Sequence, residues 1–152
     1  MNAKFSAVDI GSNAIRMIVG ETNQSEMRLL KKFRAPVRLG RDVFMSGKIS
    51  EKTLAEAQEA FRKFAQTNEK HKVTRCRAVA TSAVREAQNS DAFVKAVLGA
   101  SGIKIEIIDG VEEARLVHNA IRRALDLDRK RVLSIDIGGG SVEITFSENG
   151  MM

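Results

Sequence analysis

Hydrophobic and polar residues follow regular patterns along most of this chain. Apolar residues at every second position predict β-strands, and apolar residues spaced three and four apart predict amphipathic helices. The predicted elements are strands at 4–10, 15–19 and 27–33, a helix at 51–71, a strand at 73–80, a helix at 90–98, a strand at 103–108, a helix at 112–125, and strands at 132–137 and 142–146. Residues 35–40 are predicted to form a loop. Three strands followed by alternating helices and strands predict an α/β architecture with a mixed sheet.

Composition narrows the class of protein without giving a function. The chain has 152 residues, of which 43% are hydrophobic and one is proline, and this excludes collagen-like, low-complexity and disordered chains. The single cysteine, Cys76, excludes an internal disulfide framework and is expected in the core. No apolar run approaches the ~20 residues of a membrane span, and the N-terminus lacks a signal-peptide pattern. We therefore expect a cytoplasmic protein.

The charge balance favours a polyanionic partner. The chain has 25 lysine and arginine residues against 19 aspartate and glutamate residues, which gives a formal net charge of +6. Nucleic acid, anionic lipid and phosphate-rich substrates are all compatible with this charge. Tyrosine and tryptophan are absent, so the chain is poorly supplied with platforms for stacking single-stranded bases. Nucleic acid is therefore the weaker candidate.

An internal repeat gives the strongest signal for a binding site. Asp9 and Asp136 each end an apolar strand, and each is followed by Ile-Gly, a small polar turn and another strand. Glycine lets backbone N–H groups approach an anion, and Ser12 and Ser141 can add hydroxyl donors. An aspartate at the end of an apolar strand is costly unless it is paired, which suits a ligand of Mg²⁺ or of metal-bound water. The alternative is a plain β-hairpin with a glycine turn, and the repetition in register favours a phosphate site.

The helix that follows Gly110 places one glutamate on its apolar face. At ~100° per residue, Glu113 lies in line with Val117 and Ala120, whereas Glu112 lies on the polar side. A carboxylate on a buried face has a raised pKa unless it is paired, and a raised pKa suits a general base. The alternative is that both glutamates only favour a helix N-terminus, and this alternative explains Glu112 fully.

The remaining reactive residues are weaker candidates. Arg85 follows a strand and could clamp a phosphate, although a solvated arginine also explains it. Glu143 fits either a ligand of the metal or water, or a solvent-facing strand residue. The basic runs at 31–38 and 129–131 are more typical of solvated faces than of substrate tracks. Neither histidine has metal-ligand spacing, and both are expected at the surface or its boundary.

Five short motifs are spread along nearly the whole chain. They are Val-Asp-Ile-Gly-Ser-Asn at 8–13, Arg-Leu-Gly at 38–40, Thr-Ser-Ala-Val-Arg-Glu-Ala at 81–87, Ile-Ile-Asp-Gly-Val-Glu-Glu-Ala-Arg-Leu at 107–116 and Ile-Asp-Ile-Gly-Gly-Gly-Ser-Val-Glu at 135–143. In this combination the chain resembles the exopolyphosphatase / guanosine pentaphosphate phosphohydrolase family, within the actin-like, sugar-kinase and heat-shock ATPase superfamily. The two glycine motifs are shared across the superfamily, and the motifs at 81–87 and 107–116 make the resemblance specific.

The resemblance implies Mg²⁺-assisted hydrolysis of a terminal phosphoryl group of inorganic polyphosphate or guanosine pentaphosphate. It implies that Glu113 is the catalytic base and that Arg85 contacts phosphates. It also implies that Asp9, Asp136 and Glu143 surround the metal and the attacking water. The implied phosphate loops comprise Gly11, Ser12, Asn13, Gly138, Gly139, Gly140 and Ser141. A sugar- or acid-kinase-like phosphotransferase and a non-catalytic binder of polyphosphate or alarmone are the alternatives.

The resemblance further implies a ribonuclease-H-like (actin-like ATPase) domain at residues 1–126, with a mixed five-stranded sheet flanked by helices. Family members have two such domains, and residues 127–152 match the opening hairpin of a second, truncated domain. Val142, Ile144 and Phe146 would then lack a sheet that buries them. We therefore expect a homodimer formed through this hairpin, and no membrane partner.

Overall fold

Strands and helices follow one another largely as the sequence predicts. The structure, a computed structural model, describes residues 3–23 and 26–152. Its elements are β1 (Ala3–Ile10), β2 (Ile15–Thr22), β3 (Met27–Ala35), α1 (Leu39–Ser46), α2 (Glu51–His71), β4 (Arg75–Ala80), α3 (Ser82–Glu86), α4 (Ser90–Ser101), β5 (Ile105–Ile107), α5 (Gly110–Ala124), β6 (Arg131–Ile137) and β7 (Val142–Glu148). In the described part of the chain, no helix is both long and apolar enough to cross a membrane.

The first five strands form one mixed sheet in the order β3-β2-β1-β4-β5, which confirms the predicted five-stranded sheet. The strand β1 is antiparallel to β2 and parallel to β4. Ile10 lies opposite both Ile15 and Ala80, and Ile15 lies opposite Ala35. The ends of β1, β3 and β4 therefore meet at one edge of the sheet, and the turns that follow these strands lie close together there.

The apolar core lies between this sheet and α2. Ser50 caps α2 by accepting a hydrogen bond from the Thr53 amide, and helical spacing places Phe61 and Phe64 on the buried face. The Phe64 ring packs 6.0 Å from the ring of Phe33 on β3, measured between centroids. All buried members of the core cluster lie between residues 8 and 105, so the core belongs to the five-stranded sheet and its helices.

The strands β6 and β7 form a separate antiparallel hairpin with one apolar and one polar face. Three cross-strand pairs make up the apolar face, which we call the hairpin face: Leu133 with Phe146, Ile135 with Ile144, and Ile137 with Val142. All six side chains are exposed, from 57% to 75%. On the other face Thr145 and Ser147 are buried, and β7 packs against α5. The prediction that this chain does not bury the apolar face is confirmed.

Two helices replace segments that were not predicted to be helical. Residues 35–40 were predicted to be a loop, but α1 begins at Leu39. Leu39 is fully buried and the Gly40 amide donates to the Ser12 carbonyl at 2.9 Å, so tertiary contacts hold the first turn of α1. The five-residue helix α3 directly follows β4 and is too short to show a helical periodicity.

Three burial predictions were wrong. Cys76 was expected in the core but is exposed: it lies on the same face of β4 as the buried Ala78 and Ala80, but near the start of the strand, where the core cluster does not reach. His118 was expected near the surface but is 5% exposed, because the C-terminal turn folds over it and the Gly150 carbonyl lies 3.1 Å from Nε2. The apolar stripe of α5 was expected to be buried, yet His118 is the one buried residue of α5, because Leu116, Val117 and Ala120 line the cavity described below.

Candidate active site

The two Asp-Ile-Gly segments form matching turns. In the first turn, the Gly11 amide donates to the Ala14 carbonyl at 3.2 Å. In the second, the Gly138 amide donates to the Ser141 carbonyl at 2.9 Å. Both turns join antiparallel strands that flank the same pattern of residues. The internal repeat in the sequence is therefore a repeat of local structure.

Each turn presents backbone donors that have no partner in the protein. Within residues 3–23 and 26–152, no carbonyl or side-chain oxygen accepts a hydrogen bond from the amides of Ser12, Asn13, Gly139 or Gly140. Unpaired N–H groups clustered in turns form anion-binding concavities. These four amides therefore supply the kind of donor that phosphate oxygens require.

The two turns touch each other. A Cβ atom at Gly139 would overlap the side chain of Asn13, and a Cβ at Gly140 would overlap Phe44 and the Ser12 hydroxyl. A side chain at either position would force these neighbouring side chains to move, so glycine lets the second turn lie this close to Asn13, Phe44 and Ser12. Ser12 is itself buried, and its Oγ lies 3.0 Å from Oγ of Ser82 at the start of α3.

A cavity of about 530 Å³ lies between the turns and α5. Its lining includes most of the site residues that the sequence predicts: Asp9, Gly11, Ser12, Asn13, Glu113, Asp136, Gly138, Gly139 and Ser141. The other predicted residues, Arg85, Gly140 and Glu143, lie beside the cavity without lining it. Gly140 packs on the first turn, and Glu143 faces the first turn of α5 near Val111.

Glu113 projects from α5 into this cavity with only 17% of its side chain exposed. Burial raises the pKa of Glu113 above its usual value, and the negative charges of Glu143 and Asp9 raise this pKa further. Arg85 opposes these effects, since its Nη1 lies 3.5 Å from Oε2 of Glu113. The same Nη1 donates to the Ile108 carbonyl at 2.9 Å, which fixes Arg85 behind Glu113.

Glu112 differs from Glu113 in its hydrogen-bond partners and in the direction in which its pKa is shifted. Its carboxylate accepts from Arg115 Nε at 2.6 Å and from Arg77 at 3.3 Å. These bonds, above all the one from Arg115, lower the pKa of Glu112 to about 2. The helical-face argument correctly separated the two glutamates, because only Glu113 lines the cavity.

Acidic groups dominate the charge of the cavity. Three carboxylates, those of Asp9, Glu113 and Asp136, line it together with one arginine, Arg16. Arg16 Nη1 lies 3.2 Å from the Asp9 carboxylate. Within residues 3–23 and 26–152, no three Asp, Glu, His or Cys side chains are grouped closely enough to hold a metal ion. A phosphate chain bound beside these carboxylates would be repelled unless a cation accompanied it.

The sequence argument missed the three other polar residues that line the cavity in the described part of the chain. Thr81 and Ser82 reach the cavity from the end of β4, and Arg16 reaches it from β2. Each of Thr81 and Ser82 lies about 70 positions along the chain from the first turn, so no local pattern pairs them with it. Arg16 could have been found from the predicted hairpin of the first two strands, because Arg16 lies directly opposite Asp9 in that hairpin.

Two curated proteins are similar to this chain in sequence. In sequence, the chain is 30% identical over 143 residues to exopolyphosphatase 1 of Mycobacterium leprae, a match that covers 93% of this chain and 42% of that protein. It is 28% identical over 144 residues to a guanosine-5'-triphosphate,3'-diphosphate pyrophosphatase of Photobacterium profundum, a match that covers 95% of this chain and 29% of that protein.

Crystal structures show the same likeness in three dimensions. The chain superposes on an exopolyphosphatase from Cytophaga hutchinsonii with a TM-score of 0.91 at 27% identity, covering 96% of this chain and 47% of the other. For the Aquifex aeolicus member of the Ppx/GppA family, the TM-score is 0.88 at 26% identity, with coverages of 99% and 49%. The chain thus spans less than half the length of each of these four relatives. Because residues 17–152 match the description of the Ppx/GppA phosphatase family, the chain belongs to that family.

Proposed function

We propose that this protein hydrolyses a phosphoanhydride bond and releases the terminal phosphate of inorganic polyphosphate or guanosine pentaphosphate. The observation that supports this proposal most is the position of Glu113. Its carboxylate lines a cavity that the two glycine turns also line, and each turn has two amides without a hydrogen-bond partner among the described residues. Attack by water on phosphorus requires a group that accepts the proton and donors that hold the phosphate oxygens. Both lie at this one cavity. The names of two relatives, an exopolyphosphatase and a pyrophosphatase of a guanosine derivative, agree with it.

In the proposed reaction, the backbone amides of the two turns bind the oxygens of the terminal phosphate and its neighbour. Water then attacks the terminal phosphorus in line with the bond that breaks, the terminal group is released as inorganic phosphate, and the rest of the substrate departs with the bonding electron pair on the former bridging oxygen. Glu113 accepts the proton of the attacking water. Its raised pKa makes it a better base than an exposed glutamate, and Arg85 keeps its carboxylate oriented toward the cavity.

The donor set of the cavity fits Mg²⁺ as a partner of the substrate. Mg²⁺ in phosphoryl-transfer sites is held by one or two carboxylates together with phosphate oxygens and water. Asp9 and Asp136 lie on opposite turns of the same cavity, and Glu143 lies opposite Asp136 in the hairpin register. We propose that one or two of these carboxylates would hold the ion together with phosphate oxygens of the substrate, and that the ion would offset the negative charge that develops on the transferred phosphoryl group.

The direct test is phosphate release by the purified chain. We expect release from long-chain polyphosphate or guanosine pentaphosphate that requires Mg²⁺ and is lost when a chelator removes it. Comparing the two substrates shows which one is preferred. Transfer of phosphate to an added sugar or acid would instead indicate a phosphotransferase. Substrate binding without any release, in the presence of Mg²⁺, would identify a binding protein and contradict the proposed hydrolysis.

Arg85 supplies a prediction about pH dependence. Arg85 lowers the pKa of Glu113, so Arg85→Gln should raise that pKa. A general base works only when it is deprotonated, and the acid limb of kcat/KM against pH should therefore move to higher pH. Arg85→Lys keeps the positive charge and should move the limb less. We also expect KM to rise for Arg85→Gln, because this arginine is proposed to contact phosphates.

The matched control for this prediction is Arg75→Gln. Arg75 lies at the start of β4, which is the opposite edge of the sheet from the turns, and it is exposed. Its removal changes the net charge by the same amount but should leave the acid limb in place. An acid limb that moves to lower pH in Arg85→Gln would contradict the assigned electrostatic effect.

A further inference from the structure

A second polar cavity lies next to the start of α1 and α2. Its volume is about 400 Å³. Three of its lining residues are cationic, namely Arg38, Arg41 and Lys52. The other lining residues are Pro36, Asp42, Ser50, Thr53 and Glu56. We call Arg38, Arg41 and Lys52 the cationic cluster.

The cationic cluster forms no close ion pair within the described part of the protein. Within residues 3–23 and 26–152, none of its three side chains lies within 4.0 Å of a carboxylate oxygen. Some other arginines are paired; Arg77 and Arg115, for example, are both held by Glu112. Unpaired guanidinium groups that line one cavity are typical of sites that bind phosphate or carboxylate groups.

The two acids in this lining do not cancel the cluster. Asp42 accepts hydrogen bonds from the amide and the hydroxyl of Ser50, and these bonds hold its pKa below the usual value. Its oxygens are therefore partly occupied by the start of α2. Because Ser50 and Asp42 already cap this helix end, the helix N-terminus is not what supports the site. Glu56 is the remaining acid, and it also borders the apolar cavity beside Phe64.

Residues that line this cavity are close in the chain to a residue that is hydrogen-bonded to the first turn. Arg38 lies two residues before Gly40, whose amide donates to the Ser12 carbonyl at 2.9 Å. Ser12 in turn lines the first cavity. Two residues of chain span at most ~7 Å, so the backbone of Arg38 lies within ~7 Å of Gly40, which is bonded to the first turn. Both cavities lie at the edge of the sheet where β1 and β3 end.

We propose that the cationic cluster binds internal phosphate groups of an inorganic polyphosphate chain whose terminal phosphate occupies the cavity between the turns. This inference rests on the proposed hydrolysis and selects long polyphosphate as the substrate class. A chain of many phosphates can reach both cavities, whereas a ligand with only a few phosphates fills the first. The cluster then contributes affinity for long chains by charge-assisted hydrogen bonds to internal phosphate oxygens.

Binding of phosphate chains to the 152-residue protein tests this proposal without any turnover. Affinity for fluorescently labelled long-chain polyphosphate and for tripolyphosphate is measured in the same Mg²⁺ buffer. The Arg38→Gln, Arg41→Gln double variant should bind the long chain about 10-fold more weakly, and its affinity for tripolyphosphate should change by less than about twofold. The slope of log K against log salt for the long chain should fall by ~1 for each cation removed.

The control is the Arg75→Gln, Lys104→Gln double variant. It removes the same two charges at the opposite edge of the sheet and should bind both ligands as the native chain does. Equal affinities of the two double variants for the long chain would overturn the second site and leave the proposed hydrolysis standing. An equal loss for tripolyphosphate would also overturn it, because the cluster would then belong to the first cavity.

A single substitution that should tighten binding makes the test independent of folding, because a variant that fails to fold does not bind more tightly. Glu56→Gln removes the unbonded carboxylate of the second cavity and should tighten binding of the long chain, with no change for tripolyphosphate. Unchanged affinity for the long chain in Glu56→Gln would contradict the proposed site. A native chain that binds neither ligand would refute the proposed function, and the second site with it.

Discussion

Glu113→Gln should lower kcat for phosphate release by ~10²–10⁴-fold, the usual contribution of a general base. Glutamine has nearly the same shape as glutamate, and its amide oxygen can still accept a hydrogen bond from Arg85. Substrate binding should therefore survive the substitution. Steady-state kinetics with long-chain polyphosphate give kcat, and equilibrium binding of the same substrate gives the affinity.

Glu112→Gln is the matched control on the neighbouring residue. Glu112 is paired with Arg115 and Arg77 on the outer side of α5 and does not line the cavity. We expect its kcat to remain within a few-fold of the native value, since surface ion pairs contribute little. Loss of activity in Glu112→Gln with retention in Glu113→Gln would reverse the roles assigned to the two glutamates.

The exposed hairpin face should make this chain associate with a second copy. Six apolar side chains lie on one side of β6 and β7, and neither strand is paired along its outer edge in the described part of the chain. Two such faces can pack on each other, and a fully buried aliphatic side chain contributes ~1.5–3 kcal/mol. Ile135→Lys with Ile144→Lys should therefore raise the dissociation constant of the dimer at least ~10³-fold.

Light scattering over a range of protein concentrations measures this effect. Met27→Lys with Leu98→Lys is the control, because both residues are exposed apolar side chains outside the hairpin. That variant should associate as the native chain does. A native chain that stays monomeric at every concentration, with its hairpin amides protected from exchange, would show that this face does not form a dimer.

Hydrophobic periodicity was sufficient to predict most of the fold. The alternation in β1, β2 and β4 and the helical spacing in α2 report which face is buried, and these buried faces form the core between the sheet and α2. The same argument placed Glu113 on the cavity side of α5 and Glu112 on the outer side, as the structure shows. The repeat of Asp-Ile-Gly predicted two turns with one geometry, and their hydrogen bonds match.

Contacts between distant parts of the chain could not be predicted in this way. The helix α1 depends on the bond between the Gly40 amide and Ser12, and its glycine and the nearby proline resemble a loop. Arg85 is turned toward the Ile108 carbonyl, 23 positions away, and the sequence near Arg85 does not indicate this partner. His118 is buried by a turn at Gly150, so its own helical pattern does not predict its burial.

The position of the core along the chain has a consequence for synthesis. All buried members of the core cluster lie between residues 8 and 105, whereas the cavity also needs residues 136–141 of the second turn. Proteins fold from the N-terminal side as the ribosome extends them by ~5–20 residues per second. The sheet can therefore become stable while the second turn is still being made. A nascent chain is thus protected against aggregation and proteolysis before its candidate active site exists, and any catalysis has to wait until the second turn has left the ribosome.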